Sequence, residues 1–152
     1  MRVKARVIAL GQAAAGDDGV GFAVLEELQR RGVPADMELH RAQEPTALIP
    51  LLETPARVVL VDAAVGATPG EVIELGADDL SQQRPQTLSS HGIGVGEAIA
   101  LARQLSPEQI SPSIRIVAVT IGPPDRCGHG LSPAVAAAVG WAADKVLELV
   151  GD

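Results

Sequence analysis

Three continuous apolar runs stand out along the chain: Val3 to Leu10, Arg57 to Ala64 and Ile114 to Ile121. Each is strand-length and rich in β-branched residues. The second is a continuous β-branched run, which predicts burial on both faces, as in a parallel sheet. Between the runs the apolar spacing turns helical. One helix is predicted from about Asp18 to Arg31, stopped by Gly32 and Pro34, and another over Gly92 to Leu105 with a serine available as N-cap. Ser132 and Pro133, a capping residue and a proline at the first helical position, announce a last helix to about Val150. Weaker signals predict a short strand at Met37 to His40 and a short helix at Pro45 to Glu53. Glu71 to Leu75 alternates as an edge strand would, and 77–90 is polar and irregular. Strands alternating with helices give a three-layer α/β/α domain around a mostly parallel, mixed sheet of about five strands. No repeat or linker divides residues 1–152, so a single domain is expected.

Composition narrows the function classes. With 152 residues, 47% hydrophobic and 20% charged, the chain can bury a substantial core. No apolar run approaches the roughly 20 residues of a membrane span, and the N-terminus lacks the form of a signal peptide, so the cytoplasm is expected. A net charge of −7, one Trp and one Phe argue against nucleic acid as a partner. One cysteine, Cys127, excludes an internal disulfide and a four-cysteine zinc site. Any metal must be held mainly by carboxylate and imidazole.

The candidate chemistry starts where the first strand ends, at Gly11-Gln12-Ala13-Ala14-Ala15-Gly16-Asp17-Asp18-Gly19-Val20-Gly21. Gly11 and Gly16 have the spacing of a phosphate loop, but Asp17 and Asp18 stand where that loop needs Lys and Ser or Thr. Two carboxylates repel phosphate. They suit a cation or proton transfer, although capping of the following helix would account for one of them. Asp62 ends the second strong strand. If the first two strong strands are neighbours, these carboxylates face one crevice at the carboxyl edge of the sheet, where such folds bind ligands. His91 precedes a predicted helix, whose N-terminus keeps an imidazole neutral. Two carboxylates and an imidazole make an oxygen–nitrogen site for a divalent transition metal with open positions. The plainer reading of His91 is a surface or capping residue. A rival metal site would combine His40 with Cys127 and His129.

Taken together, four features resemble the endopeptidases that mature nickel–iron hydrogenases. They are the strand followed by Gly11 through Gly21, Val61-Asp62-Ala63, the Ser90-His91-x-x-Gly94 element, and Gly130-Leu131-Ser132-Pro133 before the last helix. The resemblance implies a twisted sheet between helices. It also implies removal of the C-terminal extension from a hydrogenase large-subunit precursor once nickel is in place. Carried over motif by motif, it makes Asp18, Asp62 and His91 the metal contacts, with Asp17 as the neighbouring acidic residue of the catalytic set. Nickel would then come with the substrate, and carboxylates would activate the attacking water. The peptidase would be aspartic-type or metal-dependent, since no serine–histidine or cysteine–histidine pair offers a nucleophile. Gln12 stands where the family commonly has Asn, and Gln43-Glu44-Pro45-Thr46 replaces a frequent glycine-threonine segment. Two other classes fit the same residues: a self-sufficient metallohydrolase, and a non-enzymatic module that binds nickel or the precursor.

Overall fold

The computed structural model describes residues 2–11, 16–79, 94–122 and 130–151; the side chain of Asp18 also lies outside the description. The three apolar runs become β1 (Ala5–Leu10), β3 (Arg57–Val65) and β5 (Ile114–Ile121). They form the middle of a five-stranded sheet flanked by β2 (Met37–Ala42) and β4 (Val72–Gly76), in the order β2-β1-β3-β5-β4. All neighbours are parallel except β4, which runs antiparallel to β5 at the edge. Central position explains the prevailing hydrophobicity of the three runs, and edge position explains why no residue of β4 is fully buried.

Helices α1 (Val20–Arg31), α2 (Leu48–Leu51), α3 (Val95–Leu105) and α4 (Pro133–Gly151) cover both faces. Side chains of a strand alternate between faces, so each run feeds two cores. Val59, Val61, Val117 and Val119 pack against Val24, Leu28, Ala138 and Val146 of α1 and α4. Val58, Leu60, Ile114 and Ile116 pack against Leu48, Val95, Ile99 and Ala102 of α2 and α3. This is the expected three-layer arrangement.

Two helix starts differ from expectation. The acidic pair lies in a 3-10 turn, Gly16–Gly19, and α1 begins only at Val20, with Gly19 at its N-cap and no side-chain cap. Helix α3 is capped by Gly94 in extended conformation rather than by a serine. At α4 the expectation holds: the helix begins at Pro133, and the Ser132 carbonyl accepts the Ala136 N–H at 2.8 Å.

From β1 the chain winds through α1 to β2 on one side, then through α2 back across to β3 on the other. The winding therefore reverses between β1 and β3. Their carboxyl ends border the crevice in which such sheets place a ligand.

Candidate active site

Asp62 sits on β3 at the level of Ala118 of β5, one residue beyond Val61, whose partner on β1 is Ala9. It shares the parity of Val58 and Leu60 and so faces the α2–α3 layer. The residue is only 1% exposed, and its Oδ1 accepts the Ala63 N–H at 2.8 Å. Asp62 does not end the strand as the sequence suggested, since β3 runs on to Val65. Removing a carboxylate from water is costly, so its burial here makes it a candidate functional group.

The glycine corner is pressed against this strand. The 3-10 turn packs beside β3. A Cβ placed on Gly21 would lie 2.4 Å from the Leu10 carbonyl oxygen and 2.8 Å from that of Val61. Only glycine lets the start of α1 approach the ends of β1 and β3 this closely. The glycine after the acidic pair thus sets how near that pair stands to Asp62.

Asp17 does not cap α1. Its two oxygens accept from Ser132: the backbone N–H donates to Oδ1 at 2.6 Å and the hydroxyl donates to Oδ2 at 2.8 Å. The carboxylate ties the corner after β1 to the N-terminus of α4, 115 residues away in sequence, where a negative charge is favoured. Two of the motifs read separately in the sequence are therefore one structural unit.

The loop after β3 is fixed from the same direction. Thr120 of β5, 4% exposed, donates its hydroxyl to the Thr68 carbonyl at 2.7 Å and accepts the Glu71 N–H at 2.8 Å. Gly70, at φ 91°, passes so close to α4 that a Cβ would come within 2.6 Å of the Ala134 carbonyl oxygen. The first turn of α4 is wedged between both loops that flank the crevice.

His91, Cys127 and His129 lie outside the described residues, as does the side chain of Asp18. Among the described residues no three His, Cys, Asp or Glu side chains converge as a metal site. His40, the described member of the rival site, faces Glu38: its Nε2 lies 3.1 Å from Glu38 Oε1, which also accepts from Arg6 Nε at 2.7 Å. The His40 hydrogen bond, then the Arg6 one, hold the Glu38 carboxyl below its ordinary range. These partners give His40 a role within the β1–β2 face.

Sequence reasoning missed Ser132 as a partner of the acidic pair, Thr120 as the anchor of the loop after β3, and the close approach at Gly21. Serine before proline read only as a cap, and threonine at the end of an apolar strand carried no signal. For Gly21 the hint was a glycine inside a predicted helix, which costs helix stability unless backbone passes nearby.

A doubly covered α/β sheet with a buried carboxylate and a glycine-rich acidic corner at its switch point defines a small ligand-binding or hydrolytic domain. The sequence model of the hydrogenase maturation protease family (HycI) matches residues 23–149, and the chain belongs to this family. It is accordingly a peptidase of hydrogenase maturation. Protein FrxA of Pyrococcus furiosus is 29% identical over 136 residues, spanning 89% of this chain and 96% of that protein. The fold is similar to that of the hydrogenase maturating endopeptidase HybD from E. coli, with a TM-score of 0.81 at 20% identity over 97% of this chain and 92% of that one. It is also similar to the [NiFe] hydrogenase maturation protease HybD from Thermococcus kodakarensis, with a TM-score of 0.72 at 22% identity over 97% and 99% of the two chains. No helix among the described residues is long and apolar enough to cross a membrane.

Proposed function

We propose that this peptidase removes the C-terminal extension of a nickel–iron hydrogenase large-subunit precursor after nickel insertion, acting in the cytoplasm. Asp18, Asp62 and His91 are assigned to recognise nickel already seated in the precursor. The observation that carries this reading is the burial of Asp62 at the carboxyl edge between β1 and β3, beside the acidic corner. Engagement of both Asp17 oxygens by Ser132 favours Asp18 as the member of the pair that meets the metal. A set of oxygen and nitrogen donors without thiolate suits a borderline divalent ion and holds a free one weakly. The product can then leave with its nickel.

In the reaction a carboxylate takes a proton from water while the oxygen attacks the scissile carbonyl carbon. The C–N bond breaks as the proton passes to the leaving nitrogen, releasing a new carboxyl terminus and a free amine. Asp62 is the preferred base, because its carboxylate is held buried on β3 beside the acidic corner. Asp17 contributes by holding the corner.

The test is Asp62→Asn, which keeps size and removes the charge, assayed on nickel-loaded precursor by intact mass. The expected result is loss of cleavage by at least ~10²-fold, the scale of a lost general base. Cleavage at the wild-type rate would refute the role of Asp62.

A further inference from the structure

The functional reading leaves Ser132 without a role, yet among the described residues its contacts join segments 115 residues apart in sequence. Its backbone N–H and its hydroxyl grip both oxygens of Asp17, at 2.6 and 2.8 Å. Asp17 is covalently next to Asp18, so whatever fixes the Asp17 carboxylate fixes the backbone from which Asp18 projects. The other end of the clasp is equally constrained. Pro133 starts α4 with a fixed φ. The Ser132 carbonyl is held by Ala136 N–H, and one residue into the helix Ala134 abuts Gly70 of the loop after β3. That loop is bonded in turn to Thr120 on the strand paired with β3, two residues along from the partner of Asp62. A continuous path of hydrogen bonds and backbone contact thus runs from the Asp18 main chain through Ser132 and α4 to the strands that carry Asp62.

We infer that Ser132 is a positioning residue for the active site: its two-point hold on Asp17 fixes the Gly16–Gly19 turn, and with it the Asp18 main chain, against β3, the strand that carries Asp62. The inference rests on the functional reading above. Ser132 acts through Asp17, by holding the turn from which Asp18 follows. Positioning of this kind appears in turnover, since misplacing a reacting group by about 1 Å can cost ~10²-fold in rate. A large protein substrate is bound mostly by surfaces elsewhere, so its KM should stay put.

The variants are Ser132→Ala, which removes the hydroxyl and keeps the backbone N–H, Ser132→Thr, which restores the hydroxyl, and Asp17→Ala alone and combined with Ser132→Ala. Each is assayed for kcat and KM on nickel-loaded precursor, with thermal unfolding recorded in parallel. For Ser132→Ala we expect kcat to fall by about 10-fold, within the range set by misplacement, with KM within twofold and a melting temperature close to wild type. Threonine should recover most of the rate, and the double variant should be no slower than Asp17→Ala, because both changes break one clasp. Full kcat in Ser132→Ala, with wild type active and Asp18→Asn dead, would overturn the inference and leave the functional reading standing. A fall in rate that tracks melting temperature, or that threonine does not rescue, would also overturn it. A wild-type protein that cleaves no nickel-loaded precursor would overturn both.

Discussion

Replacing Gly21 by alanine adds one methyl group at the place where α1 meets the sheet. The new carbon would stand 2.4 Å from the Leu10 carbonyl oxygen, 1 Å short of ordinary contact at 3.4 Å, and 2.8 Å from that of Val61. Neither obstruction is a side chain that can rotate away. Both oxygens belong to adjacent strands of the parallel sheet, so α1 itself must retreat. Overpacking of this kind costs ~1–3 kcal/mol, and main-chain obstruction puts Gly21→Ala at the upper end. Alanine's better helix propensity returns at most ~1 kcal/mol, leaving a net loss of about 2 kcal/mol. For a domain of this size that is a fall of ~4–8 °C in melting temperature. Gly140 supplies the matched control: it lies inside α4, and a Cβ there meets only the tip of Arg31, at 3.6 Å. Gly140→Ala should stabilise by ~0.5–1 kcal/mol through propensity alone. Thermal and urea unfolding of the two variants should therefore shift in opposite directions. Because the retreat of α1 also carries the Gly16–Gly19 turn away from β3, Gly21→Ala should lose more peptidase activity than its unfolded fraction explains. A Gly21→Ala protein as stable as wild type would refute the close-approach argument.

Thr120→Val keeps the shape of the side chain and strips the hydroxyl that serves Glu71 N–H and the Thr68 carbonyl, so urea unfolding should show a loss of ~1–3 kcal/mol. No loss would mean that the loop after β3 is held by other bonds. On the outer face of α1, hydrogen bonds from Arg30 and then Arg31 pull the Glu27 carboxyl from 4.5 down to about 2, and Arg31 also reaches Asp144 of α4 at 2.7 Å. A depressed carboxyl stabilises the fold above its unfolded value and ceases to do so as pH falls through the folded one. The stability gap between wild type and Glu27→Gln should thus be constant above pH 4.5 and shrink progressively toward pH 2. A gap that widens on acidification would contradict the assignment.

The sheet was legible because its three central strands are largely apolar, broken only by Arg6, Arg57, Asp62, Arg115 and Thr120, a pattern that burial on both faces imposes. β4 was legible as an edge for the opposite reason, its alternation. Helix α4 announced itself through Ser132 and Pro133. What stayed hidden were relations between distant segments. The acidic pair read as a cation or proton-transfer site, with capping of the following helix able to account for one of the two. Its actual partner lies 115 residues downstream, and nothing in local spacing encodes that. Nor did the local sequence show that Gly21 is the position that lets the helix touch two strands. Asp62 could be placed on the second strong strand from sequence, but not that the strand runs on to Val65, and its level beside the glycine corner depends on β1 and β3 being neighbours, which is a matter of topology.

The most direct test of the account is to present the purified protein with a hydrogenase large-subunit precursor in nickel-loaded and nickel-free form and follow each precursor's intact mass. The account predicts loss of a C-terminal peptide from the loaded form alone, abolished by Asp18→Asn. Equal loss from both forms would contradict the nickel gate, and no loss from either would contradict the assignment of this substrate.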